Sequence, residues 1–154
     1  MLSFKHFIIE YTKADVASRF ARIKHGGSEI PIKGYDPDKA DEVFDRLDDV
    51  KEKVIGPKRL YHDSMEEKNK AHKEFNTNNF SEKNFNISDL KPLQGSVDVS
   101  SKERTENKFN SPSTVRVATH EGEHYILDGH HTVAAAIANR NKKIKVMHIN
   151  LDDY

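Results

Sequence analysis

The segment VRVATHEGEHYILDGHHTVAAAI, residues 115–137, decides how this chain folds. Val115 to Ala118 alternates apolar and polar around Arg116, the period of a half-buried strand. His120-Glu-Gly-Glu123 reads as a hairpin turn, and Tyr125, Ile126 and Leu127 as the returning strand. Asp128 and Gly129 end that strand, because glycine adopts the positive φ a sharp reversal needs. A helix over Val133 to about Asn139 follows, with Arg140 to Lys143 as its exit. The small side chains of Ala134, Ala135 and Ala136 let it lie close to the sheet. Ile144, Val146, His148, Ile149 and Leu151 make a last strand. Strand, strand, helix, strand is the order of a small α/β unit.

Working outward, Asp36-Pro37 is a strong helix start: a carboxylate N-cap followed by proline at the first helical position. Ala40, Val43, Phe44, Leu47, Val50 and Val54 continue it as an apolar stripe, and Gly56-Pro57 stops it. Residues 3–24 also read as helix in two pieces. Thr12 and Asp15 stand at capping-box spacing, and Gly26-Gly27 closes the element. Phe4, Phe7, Phe20 and Phe44 fall at helical spacing and are expected in the core. Residues 62–86 are polar and asparagine-rich, with Phe80 and Phe85 as their anchors. His62 to Lys73 is compatible with a polar helix, but the stretch as a whole reads as a linker or long loop. Three regions result: a helical one at 1–60, a polar linker at 61–86 and an α/β domain at 87–154.

Hydrophobic residues make up 35% of the 154 and charged ones 32%, so the core must be small for the chain length. The chain has no cysteine. Disulfides, thiolate metal sites and cysteine nucleophiles are therefore excluded, and the expected compartment is the cytoplasm. No apolar stretch approaches a membrane span. His6 and Glu10 interrupt the apolar start, so no signal peptide is read. Net charge is zero; residues 87–154 carry nine basic and nine acidic residues, leaving sixteen of each for residues 1–86. Neither part is basic overall, so any contact with nucleic acid must rest on a local patch.

The chemistry gathers at Asp128-Gly-His-His-Thr132, between a strand and a helix start. Unpaired N–H groups and a partial positive charge there favour an anion. Gly129 lets a ligand approach the main chain, and Thr132 is able to hydrogen-bond a phosphate oxygen. His130 and His131 titrate near neutral pH and suit acid–base work. Adjacent helical side chains point about 100° apart, so one of the two faces the ligand. Asp128 is near enough to orient a histidine. His120, His124, Asp128, His130 and His131 invite a metal reading. No built-in metal site is assigned to them; a divalent ion shared with a bound phosphate fits as well.

Tyr125 to Ala136 followed by Ile144 to Ile149 resembles the ParB/sulfiredoxin superfamily. There a hairpin strand ending in Asp/Asn-Gly runs into a His/Arg-containing helix start, a small-residue helix and a short strand. Leu90-Lys-Pro-Leu-Gln94 is similar to the segment that leads into that fold, and Ser111-Pro112-Ser-Thr-Val115 to the strand before the hairpin. The resemblance covers residues 87–154. It implies a small mixed sheet, here with a helical N-terminal extension, and a phosphate site at Gly129, His130, His131 and Thr132. Relatives include CTP-hydrolysing DNA-partition proteins, ATP-using sulfiredoxin and kinases, and ParB-like nucleases. The Asp-Gly-His-His form looks most like the phage- and plasmid-borne nucleases. Thr132 stands where the family usually has an arginine, and without cysteine sulfiredoxin chemistry is impossible.

The expectation is a ParB-like nuclease or nucleotide-phosphate hydrolase, with His131, His130 and Asp128 as catalytic candidates. Arg116, Arg140, Lys142 and Lys143, with Lys145 nearby, are the candidate nucleic-acid contacts. Mg2+ or Mn2+ and ATP or CTP are the candidate cofactors; DNA or a nucleotide is the expected partner, with a protein partner open to the N-terminal helices. The alternative is a non-catalytic DNA- or protein-binding adaptor whose phosphate site is degenerate.

Overall fold

The computed structural model describes residues 29–32, 34–98 and 114–154. The helices read at 3–24, with Phe4, Phe7 and Phe20, and the leading part of the strand segment at 111–113 lie outside those residues. Elements follow in the order β1 (Glu29–Pro31), α1 (Pro37–Ile55), a π turn (Lys58–His62), α2 (Met65–Asn79), β2 (Ser81–Asn86) and a 3-10 turn (Ile87–Asp89). Then come β3 (Leu90–Pro92), β4 (Ser96–Asp98), β5 (Arg116–His120), β6 (Glu123–Asp128), α3 (His130–Ala138), β7 (Lys143–Asn150) and a closing 3-10 turn (Leu151–Asp153). The class is mixed α/β, as the element order implied.

Five strands form one sheet in the order β2-β7-β5-β6-β3, and β1 pairs separately with β4. Within the five, β2–β7 and β5–β6 are antiparallel, while β5–β7 and β3–β6 are parallel. Helix α3 connects β6 to β7, two strands that flank β5 on opposite sides, so it crosses the face of the central strand. Side-chain alternation divides the core accordingly. Val117 and Ile126 join Val133, Ala136 and Ile137 of α3 on one face. Ala118, Tyr125 and Ile149 join Ala40, Val43, Leu47 and Val50 of α1 and Phe75 of α2 on the other. Three layers result, with the sheet in the middle.

Phe85 on β2 and His124 on β6 are three strand positions apart, yet their side chains reach across the face that carries α3 and their ring centroids lie 4.7 Å apart.

Several sequence expectations hold. Asp36 caps α1, its carboxylate accepting from the N–H groups of Asp38 and Lys39. The hairpin turns at Glu121-Gly122, pairing His120 with Glu123, and the last strand spans Lys143–Asn150.

Others are corrected. The stretch at 61–86 is no linker: it is α2 and edge strand β2. Ser64 starts α2 with a capping bond from the N–H of Glu67, three residues on, and the helix buries Ala71 and Phe75. β2 buries only Phe85, yet pairs with β7 over six residues, because an edge strand is held by its backbone ladder. Since α1 and α2 pack on the sheet, their buried residues share a core cluster with β5, β6 and β7 rather than forming a separate region. Phe44 is 39% exposed and Val54 45%; the apolar stripe is wider than the face that α1 buries. Helix α3 starts at His130 rather than Val133, so the two histidines are helical. Among the described residues no helix is long and apolar enough to cross a membrane.

Candidate functional site

Strand β6 delivers Asp128 to the edge of the sheet, and Gly129 turns the chain with φ 95° and ψ 25°. That left-handed conformation is open to glycine at little cost. A side chain there would also collide: a Cβ at Gly129 would stand 3.0 Å from Val115 Cγ2 and 3.1 Å from Val115 Cα. Both facts require glycine. The carbonyl of Gly129 accepts from the N–H of Val133 at 3.0 Å, and no side chain caps this helix start.

The next three residues diverge. His130 is buried, and its Nε2 accepts a hydrogen bond of 3.1 Å from the N–H of Leu93. Its proton therefore sits on Nδ1. Burial pushes its pKa down to about 4; the charge of Asp128 opposes that shift and His131 adds to it. At neutral pH His130 is an uncharged ring that ties α3 to the chain beyond β3, which is at odds with a proton carrier. His131 is half-buried. Thr132 is only 3% exposed, and its Oγ1 has no hydrogen-bond partner. A buried hydroxyl in that condition costs roughly 1–3 kcal/mol until something pairs with it.

The basic candidates separate as well. Arg116, at the start of β5, pairs with Asp128 at 3.4 Å and so belongs to the turn. Arg140, Lys142 and Lys143 are exposed at the far end of α3. Nine residues of helix place them roughly 14 Å from Gly129. Lys145 is exposed on β7, where it pairs with Glu82 at 3.6 Å.

The five residues that suggested a metal do not converge. His120 shares the sheet face of α1, where Glu42 and Glu121 approach it. His124 points to the opposite face, the one that carries α3. There Thr119 Oγ1 lies 2.7 Å from His124 Nδ1 and 2.7 Å from His148 Nε2, while the Phe85 ring packs on both imidazoles. With a single proton, the hydroxyl gives to at most one of the two rings and accepts from the other or from both. Burial, with Lys83 and His124 nearby, pushes the pKa of His148 down to about 4. This is a satisfied polar network under an aromatic lid. Its signal in the sequence is strand alternation, which puts Thr119 in phase with Val117 and His148 with Val146. The tie between Leu93 and His130 left no such trace, because its donor is a backbone group from another element.

No family model, no curated protein and no solved structure matches this chain.

Proposed function

We propose that the chain is a phosphate-binding hydrolase of the ParB-like nuclease type, acting on DNA or nucleotides at the turn between β6 and α3. The observation that carries this reading is the Thr132 hydroxyl, buried and without a hydrogen-bond partner among the described residues, in the first turn of a helix that none of their side chains caps. An oxyanion there is stabilised by the helix start and by Thr132. Arg116 beside Asp128 supplies the nearest cationic group, and a shared Mg2+ or Mn2+ ion suits the same phosphate. His131, half-buried beside the same helix start where His130 is buried, is the histidine assigned to move a proton.

The test is conversion of supercoiled plasmid in Mg2+ or Mn2+, with ATP and CTP turnover measured in parallel. Loss of activity in His131→Ala, with an unchanged circular dichroism spectrum, is the expected result. Equal cleavage by wild type and variant refutes the assignment.

A second reading is a non-catalytic DNA- or protein-binding adaptor. The structural use of His130 favours it, and exposed Phe44 and Val54 on α1 suit a protein partner. Calorimetry with ATP, CTP and short duplexes separates the two, since an adaptor binds without turnover.

A further inference from the structure

His120 ends β5 on the face covered by α1, and the ring is nine-tenths buried. Its Nε2 is inaccessible and, among the described residues, makes no hydrogen bond of good geometry, although a Glu42 carboxylate oxygen lies within ion-pair distance. What it faces is carboxylate: Glu42 Oε1 of α1 at 3.4 Å and Glu121 Oε1 of the hairpin turn at 3.9 Å. One ligand atom from each of the three residues falls within 4.8 Å of the others.

We propose that Glu42, His120 and Glu121 bind one divalent first-row transition ion of the Zn2+, Co2+ or Mn2+ class. A well-aligned imidazolium–carboxylate hydrogen bond closes to about 2.8 Å, and the wider 3.4 Å spacing between His120 and Glu42 leaves room for an ion shared by the two groups. Two ligands each about 2.1 Å from a tetrahedral ion lie roughly 3.4 Å from one another. Glu42 already stands at that distance from Nε2. Glu121, exposed on the turn, must close by about 0.5 Å on the ring and come from within 4.8 Å of Glu42 to ligand spacing, a movement within the reach of its side chain. One imidazole nitrogen and two carboxylate oxygens suit these ions better than Mg2+ or Ca2+, which favour oxygen alone. The pair of carboxylates offsets the ion's charge.

Neighbouring groups hold the ligands in place. Lys39 Nζ pairs with the other carboxylate oxygen of Glu42 at 2.5 Å, leaving Oε1 toward the ring. Asp152 accepts from the N–H groups of Glu121 and Gly122 at 2.7 and 3.0 Å, which fixes the turn. The site lies on the opposite sheet face from α3, and along β5 it is about 13 Å from the Asp128 end. It therefore stands or fails apart from the phosphate site.

Equilibrium dialysis of the full chain against Zn2+, with visible absorption of the Co2+ form, tests the site. One equivalent of metal is expected, and Mg2+ should not compete. Glu42→Gln and Glu121→Asn should each weaken binding at least ~10-fold, the lower bound known for changes even one shell further out. Glu121→Asn guards against a folding artefact, because asparagine suits the positive φ of 52° at this position better than glutamate does. Absence of saturable binding below about 1 mM overturns the proposal, as does one-equivalent binding that survives both substitutions.

Discussion

Acidification should weaken this fold through His130, and the size of the effect follows from its surroundings. An unfolded chain presents the ring with its ordinary pKa of 6.5, whereas burial holds it at about 4 in the fold. The unfolded state therefore takes up the proton first. Stability is complete above pH 6.5, falls as pH drops toward 4, and levels off below that. A difference of roughly 2.5 pH units at about 1.36 kcal/mol each amounts to about 3 kcal/mol, with about 2 kcal/mol already lost at pH 5. Guanidinium unfolding of wild type and His130→Gln at pH 7.5, 6 and 5 isolates this contribution, because every other titrating group is common to both. At pH 7.5 the variant should be less stable by about 1–3 kcal/mol, the cost of an unsatisfied Leu93 N–H. That gap should narrow by about 2 kcal/mol at pH 5. A gap that stays constant across the three pH values would refute the idea that His130 is held neutral in the fold.

Gly129→Ala should destabilise by at least 1 kcal/mol, through its φ of 95° and the contact with Val115, and should raise the midpoint of no thermal melt. Arg140→Gly should act in the opposite direction. Arg140 has φ 62° just beyond α3, its N–H bonds the Ile137 carbonyl and the N–H of Asn141 bonds that of Ala136, a closing pattern in which glycine is favoured. A gain of about 0.5–1 kcal/mol in chemical denaturation is expected, and a loss would show that the arginine side chain packs against the helix end.

Local patterns in the amino-acid sequence were sufficient for the hairpin around Glu121-Gly122, the last strand, the Asp36 cap and the core stripe of α1. In each of these, period or capping chemistry reports directly on burial or on a bond within a few residues. The same logic offered a polar helix at His62 to Lys73, overlapping α2, but read the whole stretch as a linker and missed β2. In β2 five of six side chains are exposed, so its identity comes from the backbone of β7 rather than from its own residues. It also overextended α1: Phe44 fits the apolar period, but the opposing surface ends before reaching it. At the turn after β6, the need for glycine was legible, while the division of labour between two adjacent histidines was not. Both have the same intrinsic chemistry, and only the N–H of Leu93, carried there by a different strand connection, makes one of them structural.

The residue chemistry by itself therefore determined the β5–β6 hairpin, the glycine turn that leads into a helix, and the last strand. Tertiary structure decided everything that depends on distance: the strand order, the packing of Phe85 against His124, and the meeting of Glu42 with His120 and Glu121. The physical reason is range. Periodicity and capping act over one or two turns of backbone, whereas these contacts join elements far apart in the chain, and their partners are fixed only when the whole sheet closes against its helices.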